Sequence, residues 1–114
     1  MENELIEVPL YNANLRLFKG EDIDEVWQFY DVPFEAGYDG GVFRHMEDDV
    51  LIEFGLFVEK HDNPGIIAHE SLHVTNGILD NCGVWPDHKN DEAQAYLLKW
   101  VVNQVTEFYN GNDE

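Results

Sequence analysis

The feature of this 114-residue chain that most constrains its fold is the set of residues in its C-terminal half that start and end helices. Asn63 can accept hydrogen bonds from the unpaired amides at the start of a helix. Pro64 suits the first helical position, where a missing amide hydrogen costs nothing. The helix is predicted to end near Gly83, because glycine readily adopts the left-handed conformation that closes helices.

A second long helix is predicted over residues 91–109, after a short loop. Either Asn90 or Asp87 can cap its start, and Gly111 can end it. The predicted inward positions recur every three or four residues, as on a helix with one buried face. This predicted buried stripe consists of Ala93, Leu97, Trp100, Val101, Gln104, Val105 and Phe108.

In the N-terminal half the apolar residues repeat at shorter intervals, and turn-forming residues are more frequent. Residues 5–18 are extended in character and broken near Pro9, which predicts one irregular strand or two short ones. A short helix is predicted over residues 21–31, where apolar side chains follow helical spacing. Residues 42–45 and 50–58 are predicted to pair as a hairpin.

The predicted element order is strand, helix, hairpin, helix, helix, which is typical of an α+β fold. Turns are predicted at residues 39–41 and 47–49, beside the hairpin strands. We therefore expect a single domain over residues 1–114. In it a small, mainly antiparallel sheet would pack on the two C-terminal helices.

The charge of the chain excludes several classes of partner. There are 24 acidic and six basic residues, which gives a formal net charge of -18. Nucleic acids and anionic membranes would repel such a surface. A disordered acidic tail is also excluded, since 44% of the residues are apolar and 13% are aromatic. The acidic surface then either keeps the protein solvated or attracts a cation or a basic partner protein.

Cysteine content and hydropathy predict a cytoplasmic protein. The single cysteine, Cys82, cannot form an intramolecular disulfide, which fits a reducing compartment. Its position beside a helix end predicts a small buried thiol. The first residues do not resemble a secretory signal, and no apolar run is long enough to span a membrane.

The first predicted C-terminal helix contains the motif HExxH, at residues 69–73. Residues four apart lie one helical turn above each other, so His69 and His73 can direct both imidazoles at one metal ion. Glu70 lies about 100° around the helix, where it can accept a proton from a water that the metal activates. The competing interpretation is that these are polar residues on an exposed helix face.

A further carboxylate, Glu92, follows His73 by 19 residues and lies at the start of the second helix. Two histidines and one glutamate leave a fourth zinc position open, which is the catalytic arrangement. Ala95, small and three residues later, would let the two helices approach closely. Asp91 is the rival carboxylate, and Glu92 could instead only interact favourably with the helix dipole.

These residues resemble a known group of proteins. HESLH at residues 69–73, followed by Glu92-x-x-Ala95, is similar to the gluzincin branch of zinc metallopeptidases, in particular its very small single-domain members, the minigluzincins. It is also similar to small phage-encoded HExxH proteins. The resemblance covers residues 42–108 and is most specific at residues 66–73 and 90–98.

The resemblance implies a minimal zincin-like fold and a zinc ion as cofactor. It implies zinc ligands at His69, His73 and Glu92, with Glu70 as general base. It also implies that residues 50–58 form the edge strand along which a peptide substrate lies. The protein would be a zinc-dependent metallopeptidase, in the host cytoplasm if it is phage-encoded.

Other side chains are weaker candidates for the same site. His88 and Tyr96 could approach the metal or stabilise a tetrahedral intermediate. A solvated loop position is the favoured explanation of His88, and core packing explains Tyr96 at least as well. Asn76 and Asp80 continue the histidine face and could orient an imidazole. No motif identifies the oxyanion-stabilising residue of a peptidase.

Two further functional classes stay open. The chain is too short for the second subdomain that walls a typical peptidase cleft, so it could be a zincin-like protein with little or no activity. Such a protein would act by binding a basic partner protein through its acidic surface. A third, weaker hypothesis is DNA mimicry, which requires carboxylates in a phosphate-like row.

Overall fold

Four strands form one mixed β-sheet in the part of the chain that the structure describes. The computed structural model describes residues 2–20, 23–31, 40–59 and 61–111. The strands are β1 (Glu2–Val8), β2 (Ala13–Lys19), β3 (Gly40–Glu47) and β4 (Val50–Val58), and they lie side by side in the order β1-β2-β4-β3. The β1–β2 and β3–β4 pairs are antiparallel, and the central β2–β4 pair is parallel.

Over the same described residues, three helices complete the α+β fold, which confirms the predicted class. They are α1 (Asp24–Tyr30), α2 (Pro64–Asn81) and α3 (Glu92–Asn110). The predicted limits of both long helices are confirmed to within two residues. The Asn63 side chain caps α2 as predicted, accepting from the amide nitrogen of Gly65 at 2.9 Å. Glu21 and Asp22, the first two residues of the predicted short helix, lie outside the described residues.

Helices cover both faces of the sheet. Side chains alternate across a strand, so Leu15 and Leu17 of β2 face the α2–α3 pair whereas Phe18 faces α1. On β4, Leu56 likewise belongs to the larger core and Phe57 to the smaller one. The larger core fixes α2 against the sheet and leaves the opposite side of that helix facing outward.

The close approach of α2 to the sheet depends on Gly77. A Cβ at this position would lie 2.7 Å from Cε1 of Phe54, closer than real Cβ atoms approach a neighbour. Because glycine has no side chain, the helix can approach the Phe54 ring this closely. The absence of a side chain at Gly77 therefore determines how closely α2, which contains the HExxH motif, packs against β4.

The β3–β4 hairpin is confirmed and contains a bulge. His45 pairs with Glu53 but Met46 pairs with Leu51, so Ile52 has no partner across the ladder. The extra residue reverses the alternation of β4. As a result Leu51 packs against the larger core, while Ile52 is 37% exposed.

The turns of the sheet are tight. The extended segment at residues 5–18 divides into two strands around residues 9–12, which is one of the two predicted alternatives. The β3–β4 turn consists of Asp48 and Asp49, both with positive φ. At the predicted turn over residues 39–41, β3 has already begun at Gly40, and Asp39 lies outside the described residues.

The prediction that residues 50–58 form an edge strand is wrong. β4 is paired on one side with β2, over Phe54–Phe57, and on the other side with β3. The edge strands are β1 and β3. A strand can become central by pairing with a distant segment, here β2. The residues that flank β4 do not indicate this pairing, and the local indication is the apolar run of the strand itself.

The predicted start of α3 also needs correction. Its N-cap is Asp91, which makes no side-chain capping bond, so neither Asn90 nor Asp87 caps the helix. The Asp87 carboxylate instead accepts a hydrogen bond from the amide of Lys89 at 2.9 Å, within the loop. The Asp87 side chain therefore stabilises the loop and does not cap α3.

Most of the predicted α3 stripe faces inward. Leu97, Val101 and Val105 are buried, as predicted, whereas Ala93 is exposed. Half-buried positions of the stripe are Trp100, Gln104 and Phe108. Ala93 lies in the first turn, which extends beyond the part of the helix that the sheet covers.

The predicted burial of Cys82 is wrong, since this residue is exposed. It forms the C-cap of α2, where the chain leaves the core. Its sulfur lies 3.4 Å from the carbonyl oxygen of Tyr11, a contact between the end of α2 and the β1–β2 turn.

Tyr109 joins the last turn of α3 to the centre of the sheet. Its hydroxyl donates to the carbonyl of Phe18 at 2.6 Å and accepts from the amide of Val58 at 2.9 Å. Those two groups belong to β2 and β4, where the parallel ladder ends. Burial raises the pKa of the Tyr109 phenol above its ordinary range, so it stays a donor at neutral pH.

A polar network lies on the opposite face of the sheet. The Glu53 carboxylate is only 6% exposed and accepts from the Arg16 guanidinium at 2.7 Å and from the Tyr30 hydroxyl at 2.9 Å. Arg16 also donates to the Asn3 side chain. These bonds compensate the buried negative charge of Glu53 and hold α1 against the sheet. The network therefore has a structural role, and a functional role is not needed to account for it.

No helix among the described residues has the length and apolar character that crossing a membrane requires.

Candidate metal centre

The HExxH motif lies in the middle of α2, as predicted, and its two histidines face outward. The inward face of the helix is formed by six buried residues: Ile67, Ser71, Val74, Thr75, Ile78 and Leu79. His69 and His73 lie on the opposite side, and both are exposed. The helical period thus separates the core side of the motif from its chemical side.

The two imidazoles are close enough to share one ion. Their Nε2 atoms lie 3.2 Å apart, and their rings meet edge to face with centroids 4.8 Å apart. Two nitrogens that each lie about 2.0–2.1 Å from a tetrahedral zinc are separated by about 3.3 Å. The histidine pair therefore fits two adjacent positions of a zinc site.

Glu70 is half-buried on the same helix, beside the histidines. Burial raises the pKa of its carboxyl above the ordinary value, and nearby His69 and His73 act more weakly in the opposite direction. A raised pKa brings a carboxylate closer to the range in which it exchanges protons with water efficiently. This environment suits the predicted general base.

Glu92 is not beside the histidine pair in this structure. The Gln94 side chain donates to Asn76 at 2.7 Å, which places the first turn of α3 about one helical turn beyond His73. Glu92 precedes Gln94 by two residues, so it lies about 200° around α3 from Gln94. It is also exposed.

Within the described ranges, no three or more His, Cys, Asp or Glu side chains are grouped so as to hold a metal ion. The structure thus brings His69, Glu70 and His73 together and leaves Glu92 apart. As a ligand, Glu92 stays a prediction.

The weaker candidates are also separate from the imidazoles. Asp91, His88 and Tyr96 are all exposed. Tyr96 lies about 200° around α3 from Gln94, on the side away from α2. It therefore does not pack in the core, which was the alternative explanation for this residue.

Asn76 and Asp80 form hydrogen bonds other than those predicted. Asn76 accepts from Gln94, and Asp80 accepts from the indole nitrogen of Trp85 at 3.0 Å. These bonds fix the first turn of α3 and the interhelical loop against α2. They do not orient a histidine ring.

Trp85 is the residue near this face that sequence reasoning missed. It is 75% exposed, yet its indole is held by Asp80, which lies seven residues after His73 and so on the same side of α2. The available signal was a tryptophan placed two residues after the helix-ending Gly83, in a short polar loop.

Comparison with family models, with curated proteins and with solved structures finds no match to this chain. The function of the protein is therefore inferred from the HExxH motif and from its geometry.

Proposed function

We propose that this chain is a zinc-dependent hydrolase of peptide bonds, with His69 and His73 as two of the zinc ligands. The observation that carries the proposal is the 3.2 Å separation of the two Nε2 atoms on an exposed helix face. That spacing matches two tetrahedral ligand positions, and the motif adds a carboxylate at the next residue.

When bound, zinc supplies Lewis-acid polarisation of a peptide carbonyl and activation of water. Glu70 takes a proton from the attacking water and passes it to the leaving amine. Glu92 is the predicted third ligand, supplied from the first turn of α3.

The substrate in this proposal is a peptide that reaches the histidine pair on the outward side of α2, where both imidazoles are exposed. The sequence had placed the substrate along residues 50–58, but that strand is paired with β2 on one side and with β3 on the other.

Zinc content tests the first half of the proposal. The wild-type protein is expected to retain about one equivalent of zinc after dialysis, measured by elemental analysis. His69→Ala should lose the metal, because His73 and Glu92 would supply only two of the three protein ligands of a catalytic zinc site. A natively folded protein that binds no zinc would contradict the proposal.

Glu70→Gln tests the second half. The amide cannot accept the proton, so peptide hydrolysis should fall by at least about a hundredfold while zinc content is unchanged. Cleavage of an unfolded protein substrate, followed by mass spectrometry, is the measurement. Equal cleavage by the variant would remove Glu70 from the mechanism.

The third ligand needs its own pair of variants. Glu92→Gln should weaken zinc binding by at least about tenfold in calorimetric titration, since a neutral amide is a poor zinc ligand. Asp91→Asn, the neighbouring carboxylate, is the matched control and should bind zinc like the wild type. Equal affinity for both variants would remove Glu92 from the site.

A second candidate function is binding of a basic partner protein. The net charge of -18 and the exposure of the histidine pair favour it, because a peptidase normally encloses its metal. In that case a partner would be captured by Glu70→Gln as well as by the wild type and released by moderate salt. We place either function in the cytoplasm, without direct binding to nucleic acid or membranes.

A further inference from the structure

The outer side of α2 carries mostly uncharged side chains around the histidines. We call these residues the outer stripe: Gly65, Ala68, His69, Leu72, His73 and Asn76, all of them exposed. Leu72 is 38% exposed. The carboxylate that continues this row, Asp80, accepts a hydrogen bond from the indole nitrogen of Trp85, so an apolar ring lies beside the acidic group at this end of the row.

Trp85 closes one end of the outer stripe. At the end of α2, Gly83 adopts the left-handed conformation, with φ of 76°, and the amide of Val84 donates back to the carbonyl of Leu79 at 2.9 Å. This closure returns the chain toward the helix. The bond from the indole nitrogen to Asp80 then fixes the ring on the side that carries His73.

The distance from the histidines to this ring suits a peptide. Asp80 follows His73 by seven residues, or about 10 Å along a helix that rises 1.5 Å per residue. An extended peptide advances about 3.3 Å per residue, so the same span corresponds to about three residues.

We propose that Trp85 is a specificity-determining residue that binds an apolar side chain of the substrate about three residues from the bond that is cleaved. This inference rests on the proposed hydrolase function and adds the substrate class, a peptide with an apolar anchor. Asp80 is a positioning residue, since it acts by holding the indole. The flat aromatic ring provides a large apolar contact at low entropic cost.

The test measures binding without turnover, in zinc-loaded Glu70→Gln protein. The probes are two capped nine-residue Ala/Gly peptides that differ only in the central residue, Phe or Ser. The Phe peptide is expected to bind about tenfold more tightly in calorimetric titration. Adding Trp85→Ser should reduce this ratio to within about twofold.

Two control variants separate the indole from general effects. Tyr96→Ser removes an equally exposed aromatic side chain from the far side of α3 and should keep the full ratio. Asp80→Asn keeps an oxygen acceptor for the indole and should also keep the full ratio between the Phe and Ser peptides. Asp80→Ala removes the acceptor and should lower this ratio.

An unchanged ratio in Trp85→Ser would overturn the inference, and so would equal peptide binding in zinc-free protein. A zinc-linked dimer that dissociates in Trp85→Ser, seen by sedimentation, would also overturn it by assigning the outer stripe to a second copy. Failure of the proposed function itself gives a different result. In that case the wild-type protein contains no zinc, or its zinc content does not change in His69→Ala.

Discussion

Two buried hydroxyls inside α2 have opposite environments. Thr75 donates from its side chain to the carbonyl of Ser71 at 2.8 Å. The hydroxyl of Ser71 is buried and has no hydrogen-bond partner among the described residues. Ser71 belongs to the HExxH motif but faces the core, so its hydroxyl costs stability without contributing to the histidine face.

Ser71→Ala is therefore expected to stabilise the protein by about 1 kcal/mol, because it removes an unsatisfied buried polar group. Urea denaturation followed by circular dichroism measures the change. Thr75→Ala is the matched control, since it removes a satisfied hydroxyl and a methyl group, and it should lower stability. If both variants lose stability, Ser71 has a partner or a packing role that the geometry does not indicate.

At this residue scale, the sequence predicts the local part of the site and not its long-range part. His69, Glu70 and His73 are fixed relative to one another by helical geometry, which four residues of spacing determine. Whether Glu92 reaches them depends on the angle and register between two helices, set by Gln94 and the core. Such tertiary contacts are not encoded in the spacing of the motif.

The turn between β3 and β4 is an element whose conformation conflicts with its residues. Asp48 and Asp49 have φ values of 51° and 65°, in the left-handed region where glycine is preferred. Two left-handed residues in succession form the type I′ turn, whose twist matches that of the flanking strands. The hairpin thus imposes a strained backbone on two aspartates.

Asp49→Gly should stabilise the hairpin by about 1 kcal/mol, because glycine adopts this conformation without steric cost. Asp49→Ala is the control that removes the same charge but keeps a Cβ, and it should lower stability. Thermal unfolding of both variants separates the backbone effect from the charge effect. An equal shift in the two variants would attribute the change to charge alone.

Among the elements, helix ends were more predictable than strand positions. Asn63, Pro64 and Gly83 are local signals, and the observed limits of α2 follow them. The central position of β4 depends on pairing with β2, more than thirty residues away in the chain. Its nearly continuous apolar run, burying both faces, was an available signal, because strands covered on both faces lack polar alternation.

At the scale of the whole molecule, the net charge of -18 opposes compaction. Raising NaCl from about 0.02 M to about 0.5 M shortens the Debye length from about 20 Å to about 4 Å. We expect the melting temperature to rise by about 5 °C, as repulsion between carboxylates is screened. Scanning calorimetry at both salt concentrations is the measurement.

A charge-reduced variant controls this prediction. Glu2, Glu4 and Glu7 of β1 are exposed, and changing all three to glutamine lowers the charge from -18 to -15. The variant should melt at a higher temperature in low salt and respond less to added salt. A salt response of the same size in both proteins would point to an effect other than charge repulsion.

The contacts of Tyr109 have a consequence for biosynthesis. Its hydroxyl binds Phe18 and Val58, which precede it by 91 and 51 residues. The ribosome makes the four strands first, and the side chain that joins β2 to β4 is synthesised 51 residues after Val58. Nascent β2 and β4 therefore keep one apolar face uncovered until α3 has been made. Until then, protection of that face falls to chaperones or to the chain's own negative charge.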